Sequence, residues 1–426
     1  MRLEKVSLFN TKKDFFFFLL ACGFIFTYAL LIEYNNYKNL IQFNSNLVTA
    51  TILKQYTKTK LSKKGTFKTY QVLKLKANKG FSFYTTAKKD FPHAKGKEIQ
   101  LEIFAGNISF YAYITSFYAH SKIIKVANIL TLKEECNDLI ANEHKDKNIT
   151  RIYQALYTAT PLSSDLQKTF SYLGVSHLLA ISGFHLGVLS TLLFFLFKAP
   201  YTFFQNRCFP YRSYKVDSFL VIALILFSYL HFLDYPPSLV RSFVMLIIGF
   251  TLYDRGFKVL SMWTLLVTVV LILSFTPRFI FSIGFWMSVS GVYYIFLFLL
   301  HFSHLNKVWQ FILVPFWVYI MMLPVSLYIF GSFSLYHPLS ILWTSLFTLF
   351  YPLSIFLHLI GFGDVFDSLL SGLLNLNTQN HTILLSWHVE ISFLMLSLLS
   401  MWKKAFVWFL LVWSTLICIY SIYYVT

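Results

Sequence analysis

Ser182 and His185 stand three residues apart in Ser176-His177-Leu-Leu-Ala-Ile-Ser182-Gly183-Phe-His185-Leu-Gly187, at the mouth of a long apolar run. A serine and a histidine at that spacing share a helix face and could act as nucleophile and base, but no acid lies nearby to orient the imidazole. His177 and His185 could ligate a metal, yet eight residues place them about 80° apart on an ideal helix. No neighbouring carboxylate or thiolate completes a ligand set. A plainer chemistry is structural: the Ser and Gly pairs allow close packing or a local break, while the histidines cap or hydrogen-bond. The remaining chemistry is a polar lining, because ionisable groups in apolar surroundings face a bundle interior or a wet cavity. The residues alone leave these readings open.

Two further stretches carry polar groups into apolar runs. In Asp234-Tyr-Pro-Pro-Ser-Leu-Val-Arg241-Ser-Phe-Val-Met, the arginine sits about one turn into a span. It either snorkels to an interface or faces inward toward a phosphate or carboxylate. Gly284, Ser288 and Gly291, downstream of Thr276-Pro-Arg-Phe, are spaced for close helix contact. Pro315, Pro324, Pro338 and Pro352 recur within spans or at their ends and predict bent or broken helices.

The elements that position these residues are set by composition. Of 426 residues, 57% are hydrophobic, 20% aromatic and only 13% charged, against about a quarter charged in soluble domains. With a mean hydropathy of +0.60, this excludes a water-soluble enzyme and predicts an integral membrane protein. Cys22, Cys136, Cys208 and Cys418 lie far apart and form neither a disulfide framework nor a metal spacing. The first apolar run, Phe15 to Ile32, has a basic flank but no small-residue cleavage site, so it reads as an uncleaved helix with a cytoplasmic N-terminus. Further spans are expected at about 176–198, 216–233, 237–253, 259–275, 280–301, 308–330, 339–361, 383–401 and 404–425. With the first helix these make about ten, each near the length that a bilayer core requires. Loops holding Lys198, Arg207, Arg212 and Lys215, then Arg255 and Lys258, then Lys307, fall on the cytoplasmic side. Lys403 and Lys404 do not, which makes 364–380 a candidate re-entrant or interfacial segment.

Four segments follow: a cytoplasmic start and first helix (1–40), a small exported β domain (41–128), a polar helical connector (129–175) and a membrane region (176–426). The β domain alternates polar and β-favouring residues between Lys-Gly and Gly-Asn turns, as in a small barrel or sandwich. Residues 51–100 hold 13 Lys, no Arg and two acids, a net +11 out of +18 for the chain. Lys54, Lys58, Lys63, Lys64, Lys68, Lys74 and Lys76 interleave with Tyr56, Phe67, Tyr70, Phe81, Phe83 and Tyr84. Such a surface suits a polyanion with stackable bases, although most of these aromatics are expected in the strand core. Acidic lipid or acidic glycan would also suit the lysines.

His177-Leu-Leu-Ala-Ile-Ser-Gly-Phe-His-Leu-Gly resembles the hallmark of the ComEC family, the inner-membrane DNA channel of natural competence. Tyr153 to Phe170 resembles the helix leading into it, Pro237 to Met245 the family's Arg-containing span, and Pro277 to Ser288 its following segment. Pro324 to Pro352 is similar to the proline-punctuated spans beyond. Leu156-Tyr-Thr-Ala-Thr-Pro departs from the usual leucine–glycine–aspartate–arginine-like run. The sequence given lacks the His-x-His-x-Asp-His ligands of the metallo-β-lactamase-like domain present in many members, so neither metal nor hydrolysis is expected of it. The resemblance implies a polytopic α-helical membrane protein of about ten transmembrane or re-entrant helices, with a small exported all-β OB-like domain. It implies transport of single-stranded DNA from periplasm to cytoplasm across the bacterial inner membrane, without catalysis or cofactor. His177, Ser182, Gly183, His185, Gly187, Gly284 and Ser288 would shape the channel, and Arg241 would meet phosphate or hold the pore helices. Membrane lipids, a periplasmic DNA receptor, a cytoplasmic ATPase or helicase, a separate nuclease and a second copy of the chain are the expected partners; the chain has no Walker A motif to drive transport itself. The competing readings are a transporter or polymerase-like enzyme for a lipid-linked or glycan polyanion, and a membrane scaffold.

Overall fold

The computed structural model describes residues 9, 11–61, 67–92, 94, 96–106, 108–126, 132–179, 181–257, 259–376 and 381–425. The chain forms two compact units, one of Lys13–Glu135 with Val270–Ser282, the other of Cys136–Val269 with Ile283–Thr426 and Met1–Lys12.

The first unit opens with α1 (Lys12–Ile41), a long apolar helix, followed by β1 (Asn46–Leu61), β2 (Phe67–Ala77), β3 (Ser82–Ala87), β4 (Glu98–Phe104), α2 (Phe110–Thr115), β5 (Phe117–Tyr118) and β6 (His120–Val126). The strands lie in the order β5-β3-β2-β1-β4-β6. β5 pairs parallel with β3 and β6 antiparallel with β4, with Ala119 alone between them. One stretch of chain therefore covers both edges and closes the sheet on itself. Alternation drives this: Ile52, Leu73, Leu75, Phe83, Ile99, Leu101 and Ile103 are fully buried inside. A one-residue slip of any strand would turn its apolar set outward. Gly80, at φ +90°, closes the β2–β3 turn by donating its N–H to the Ala77 carbonyl at 2.8 Å.

Arg278, in a short 3-10 turn (Pro277–Phe281), belongs to this unit and is held there by charge. Its Nε and Nη2 donate to the two carboxylate oxygens of Glu33 at 2.6 and 2.7 Å. Its guanidinium lies 4.6 Å from the Tyr113 ring centroid. Burial pushes the Tyr113 phenol up to about 12; Arg278 opposes that rise and Glu33 adds to it. Both ion-pair side chains are less than a fifth exposed, so Glu33→Gln should cost about 1.5–3 kcal/mol, the worth of a charged hydrogen bond. Thermal melting of the purified chain should show the lower midpoint, with the loss spread over this unit.

The second unit is helical. A polar connector comes first, with α3 (Leu132–Glu143, of which the residues to Glu135 belong to the first unit), α4 (Lys147–Thr158) and α5 (Ser164–Tyr172). As the Thr160-Pro-Leu-Ser-Ser-Asp run implies, α4 ends in a left-handed Ala159 and Ser163 caps α5. Then follow α6 (Ser176–Leu179), α7 (Gly183–Cys208), α8 (Tyr214–Phe232), α9 (Pro237–Asp254), α10 (Met262–Phe275), α11 (Ile283–His301) and α12 (Lys307–Phe330). The tail comprises β7 (Ser332–Phe333), α13 (Ser340–Leu359), α14 (Asp367–Leu374), β8 (His381–Thr382), α15 (Trp387–Leu399) and α16 (Lys404–Val425). α10 crosses the boundary between the two units.

Eight helices among the described residues are long and apolar enough to cross a membrane, and α10 and α15 are shorter apolar ones. Three expectations are corrected. The span expected from 176 begins at Gly183, because the chain leaves the helix after Leu179 and restarts on a new cap. Lys198 and Arg207, expected in a loop, lie on α7, which runs on to Cys208. Pro315, Pro324 and Pro352 do not break their helices: α12 and α13 continue through them. The stretch 364–380 forms a 3-10 turn and the short α14, with 377–380 outside the described residues.

Candidate functional site

The Ser176–Gly187 motif is a helix break followed by a cap. Ser182 Oγ accepts the Phe184 N–H at 3.3 Å, and His185 Nδ1 accepts the Ser182 N–H at 3.2 Å. This reciprocal pair does for α7 what a serine and a glutamate do in a capping box. It also places the His185 lone pair at Nδ1, so in the neutral ring the hydrogen sits on Nε2. That N–H is buried without a partner among the described residues, and the ring packs on Phe347 and Tyr351 with centroids 5.2 and 4.6 Å away. Ser182 Oγ lies 3.2 Å from Nδ1, but that nitrogen already serves the backbone and none of its partners is a carboxylate. The arrangement supports a cap and a buried donor rather than a nucleophile and base.

The break is docked on the start of α9. Ser238 Oγ donates to the Ile181 carbonyl at 3.0 Å. Gly183 faces Ser242 and Arg241 so closely that a Cβ there would fall on Ser242 Oγ and lie 3.1 Å from Arg241 Nη2. Arg241 is 4% exposed and does not snorkel. Its Nε donates to Ser288 Oγ at 2.9 Å, Nη2 to Ser242 Oγ at 3.0 Å, and Nη1 reaches Met245 Sδ at 3.5 Å. None of these partners carries a negative charge. Gly183, Arg241 and Ser288 thus meet in one place, with Ser182 and His185 on the adjoining cap. His177, on α6, lies apart from them against α13, its Nε2 3.2 Å from Thr344 Oγ1. Gly187 and Gly284 are exposed and, like Gly291, have open space where a Cβ would go. The expected close helix contact is therefore not found at Gly284 or Gly291 among the described residues, because Ser288 alone of that trio turns toward Arg241.

Lys54, Lys58, Lys74 and Lys76 lie on the outer face of the first unit. Lys54 sits opposite Lys74, Lys58 opposite Tyr70, and Lys74 opposite Tyr84, which in turn pairs with Tyr118. Lys74 Nζ stands 5.4 Å from the Tyr84 ring centroid. Lys54 and Lys58 are exposed and Lys76 is half-buried. Lys68 holds its register place opposite Lys60, while Lys63 and Lys64 lie outside the described residues. The aromatics divide: Phe81 and Phe83 are core, whereas Tyr56 and Tyr118 are 46% and 49% exposed. Tyr70 and Tyr84 are half-buried.

Two polar features went unread in the sequence. Glu390, on α15, is 5% exposed and leaves Oε2 unpartnered among the described residues; a carboxylate inside an apolar window was the available signal. The second surrounds His144, whose side chain is fully buried beside Asp367. Among the described residues no cluster of three or more His, Cys, Asp or Glu could hold a metal ion, and the four cysteines are free.

A family model described as Competence protein matches residues 158–423. The chain belongs to the competence protein family. No curated protein and no solved structure matches it. The matched region contains the α7 cap, Arg241 and Ser288, and a competence protein has a role in DNA uptake. Together with the eight apolar helices, the family indicates a multi-pass membrane protein.

Proposed function

We propose that this competence protein is the inner-membrane channel that passes single-stranded DNA from the periplasm to the cytoplasm, with its N-terminus in the cytoplasm. The observation that carries the reading is the outer face of β1, β2, β3 and β5, where Lys54, Lys74, Tyr84 and Tyr118 stand side by side in one cross-strand row, two lysines followed by two tyrosines. Like charges directly opposite each other destabilise a sheet, so the Lys54–Lys74 pair gains when a phosphate comes between them. Tyrosine faces beside them offer stacking without sequence preference. This face supports an OB-like role for the closed sheet: it captures and guides the strand. In the helical unit, the Arg241 guanidinium and the His185 Nε2–H act as donors along the strand's path. The driving force and the degradation of the other strand come from partner proteins, a motor and a nuclease.

Salt titration of binding tests the capture step. Replacing both Lys54 and Lys74 by Gln should flatten the slope of log affinity against log salt by about 1.4, at about 0.7 per single-strand phosphate contact. Tyr84→Ala should instead weaken binding by about 1–3 kcal/mol and leave the slope alone. Equal binding of acidic glycan and single-stranded DNA, with an unchanged slope in the lysine variant, would replace the DNA reading with the glycan polyanion one.

A further inference from the structure

At the end of α13, apart from every motif above, side chains distant in the chain form a hydrogen-bonded row. His144, between α3 and α4, has Nδ1 at 2.9 and 3.1 Å from the two carboxylate oxygens of Asp367 on α14. Its Nε2 lies 3.1 Å from Nε2 of His358 on α13. His358 Nδ1 in turn lies 2.7 Å from the Ser354 carbonyl oxygen. The His144 side chain is fully buried and stacks on Tyr153 with centroids 4.5 Å apart and ring planes within 5°.

The hydrogens in this row can be counted. A carbonyl only accepts, so His358 Nδ1 carries a hydrogen; an ionised carboxylate only accepts, so His144 Nδ1 carries one too. Two neutral rings have then used both their hydrogens, and two lone pairs would face each other across 3.1 Å. The contact needs a third hydrogen. Placing it on His144 against an ionised Asp367, or moving one proton onto Asp367, leaves the count unchanged. The row holds one proton more than an ionised carboxylate and two neutral imidazoles.

We propose that Asp367, His144 and His358 form a binding site for a single proton that docks the connector helices on the end of α13. The surroundings suit the added charge. Glu143 faces the site while accepting the Gly363 N–H at 2.9 Å, and Tyr153 presents its ring to the imidazole. The Tyr157 hydroxyl is 3.4 Å from His358 Nδ1 and donates to Ser354 Oγ at 2.8 Å. Asp364, on the intervening turn, is exposed. Gly363 leaves the room: a Cβ there would come within 2.9 Å of the His358 ring. Above about pH 6.5, where parted rings are neutral, the docked state binds one more proton than the parted one, so docking weakens as pH rises by about tenfold per pH unit; below that pH the parted rings take up protons as well and the gain stops. The site requires no particular cargo, so it stands or falls separately from DNA transport.

The test uses the full chain in detergent with 15N-labelled histidine. At about pH 6, nuclear magnetic resonance should show a hydrogen-bonded proton shared between two ring nitrogens. That signal should be lost in His144→Gln and in His358→Gln alike. Hydrogen exchange of α4, corrected for the intrinsic rate, should be slower at about pH 6 than at about pH 8.5 by tenfold or more, and the difference should vanish in His358→Gln. Absence of that signal in the unaltered, folded chain would overturn the proposal without any variant. So would a pH dependence of exchange that persists in His358→Gln.

Discussion

Arg241→Met is expected to lower transformation by about a hundredfold or more while the protein still reaches the membrane and melts at an unchanged or higher temperature. The guanidinium is 4% exposed and its partners are two serine hydroxyls and a thioether. A buried cation without a carboxylate costs stability, and apolar replacements of buried charges are often neutral or stabilising. The fold therefore gains little from the charge. A phosphate arriving beside it would gain a charged, desolvated hydrogen bond, whose loss costs about 2–5 kcal/mol, or roughly 30-fold to several thousandfold. Transformation frequency and melting temperature, measured on the same variant, separate the two roles. Normal transformation by Arg241→Met would remove the residue from the transport path, and a collapsed melting temperature would make it a structural strut.

Gly183→Ala should be the more damaging change to the fold, although it adds a single methyl group. That carbon would fall on Ser242 Oγ and lie 3.0 Å from Ser242 Cβ. Helix backbone holds both sides, so either α7 moves away from α9 or the Ser242 rotamer breaks its bonds to Arg241 and the Ser238 carbonyl. Overpacking of this kind costs about 1–3 kcal/mol. The Arg241 guanidinium, displaced with it, would carry the loss into transport as well. The double variant Gly183→Ala with Ser242→Gly removes the colliding side chain and should recover most of the stability. Failure of that rescue would trace the effect to the cap itself rather than to the collision.

Periodicity made the broad layout legible. Strict alternation between Gly turns pointed to a small barrel or sandwich without saying which, and uncharged runs near bilayer length pointed to the apolar helices. The break before α7 was half legible: Ser182 is a recognisable cap, but the partner three residues on is His185 rather than Glu or Gln, so the pattern read as one continuous span. Gly284 and Gly291 misled because small residues mark close contact only on the face that meets a neighbour. The His144 row could not be read at all. Its members are 223 and 214 positions apart, and a lone histidine in a polar connector carries no sign of a partner at the far end of the chain. Gly183, by contrast, was singled out by position, while its reason, the close approach of Arg241 and Ser242, needed three dimensions.

The hairpin of β1 and β2 reaches past its neighbours. β4 pairs with β1 only through residues 46–51, and β3 with β2 only through 71–76, whereas the two partner each other as far as Leu61 and Phe67. Beyond the closed sheet, among the described residues, no third strand flanks this ribbon, a form that readily adds a strand from another molecule. Lys58, Lys60 and Lys68 fall on it, and lysine is a residue with which natural sheets keep such edges from sticking together. The charge that suits this face to a polyanion also works against two copies of the ribbon zipping into aggregates.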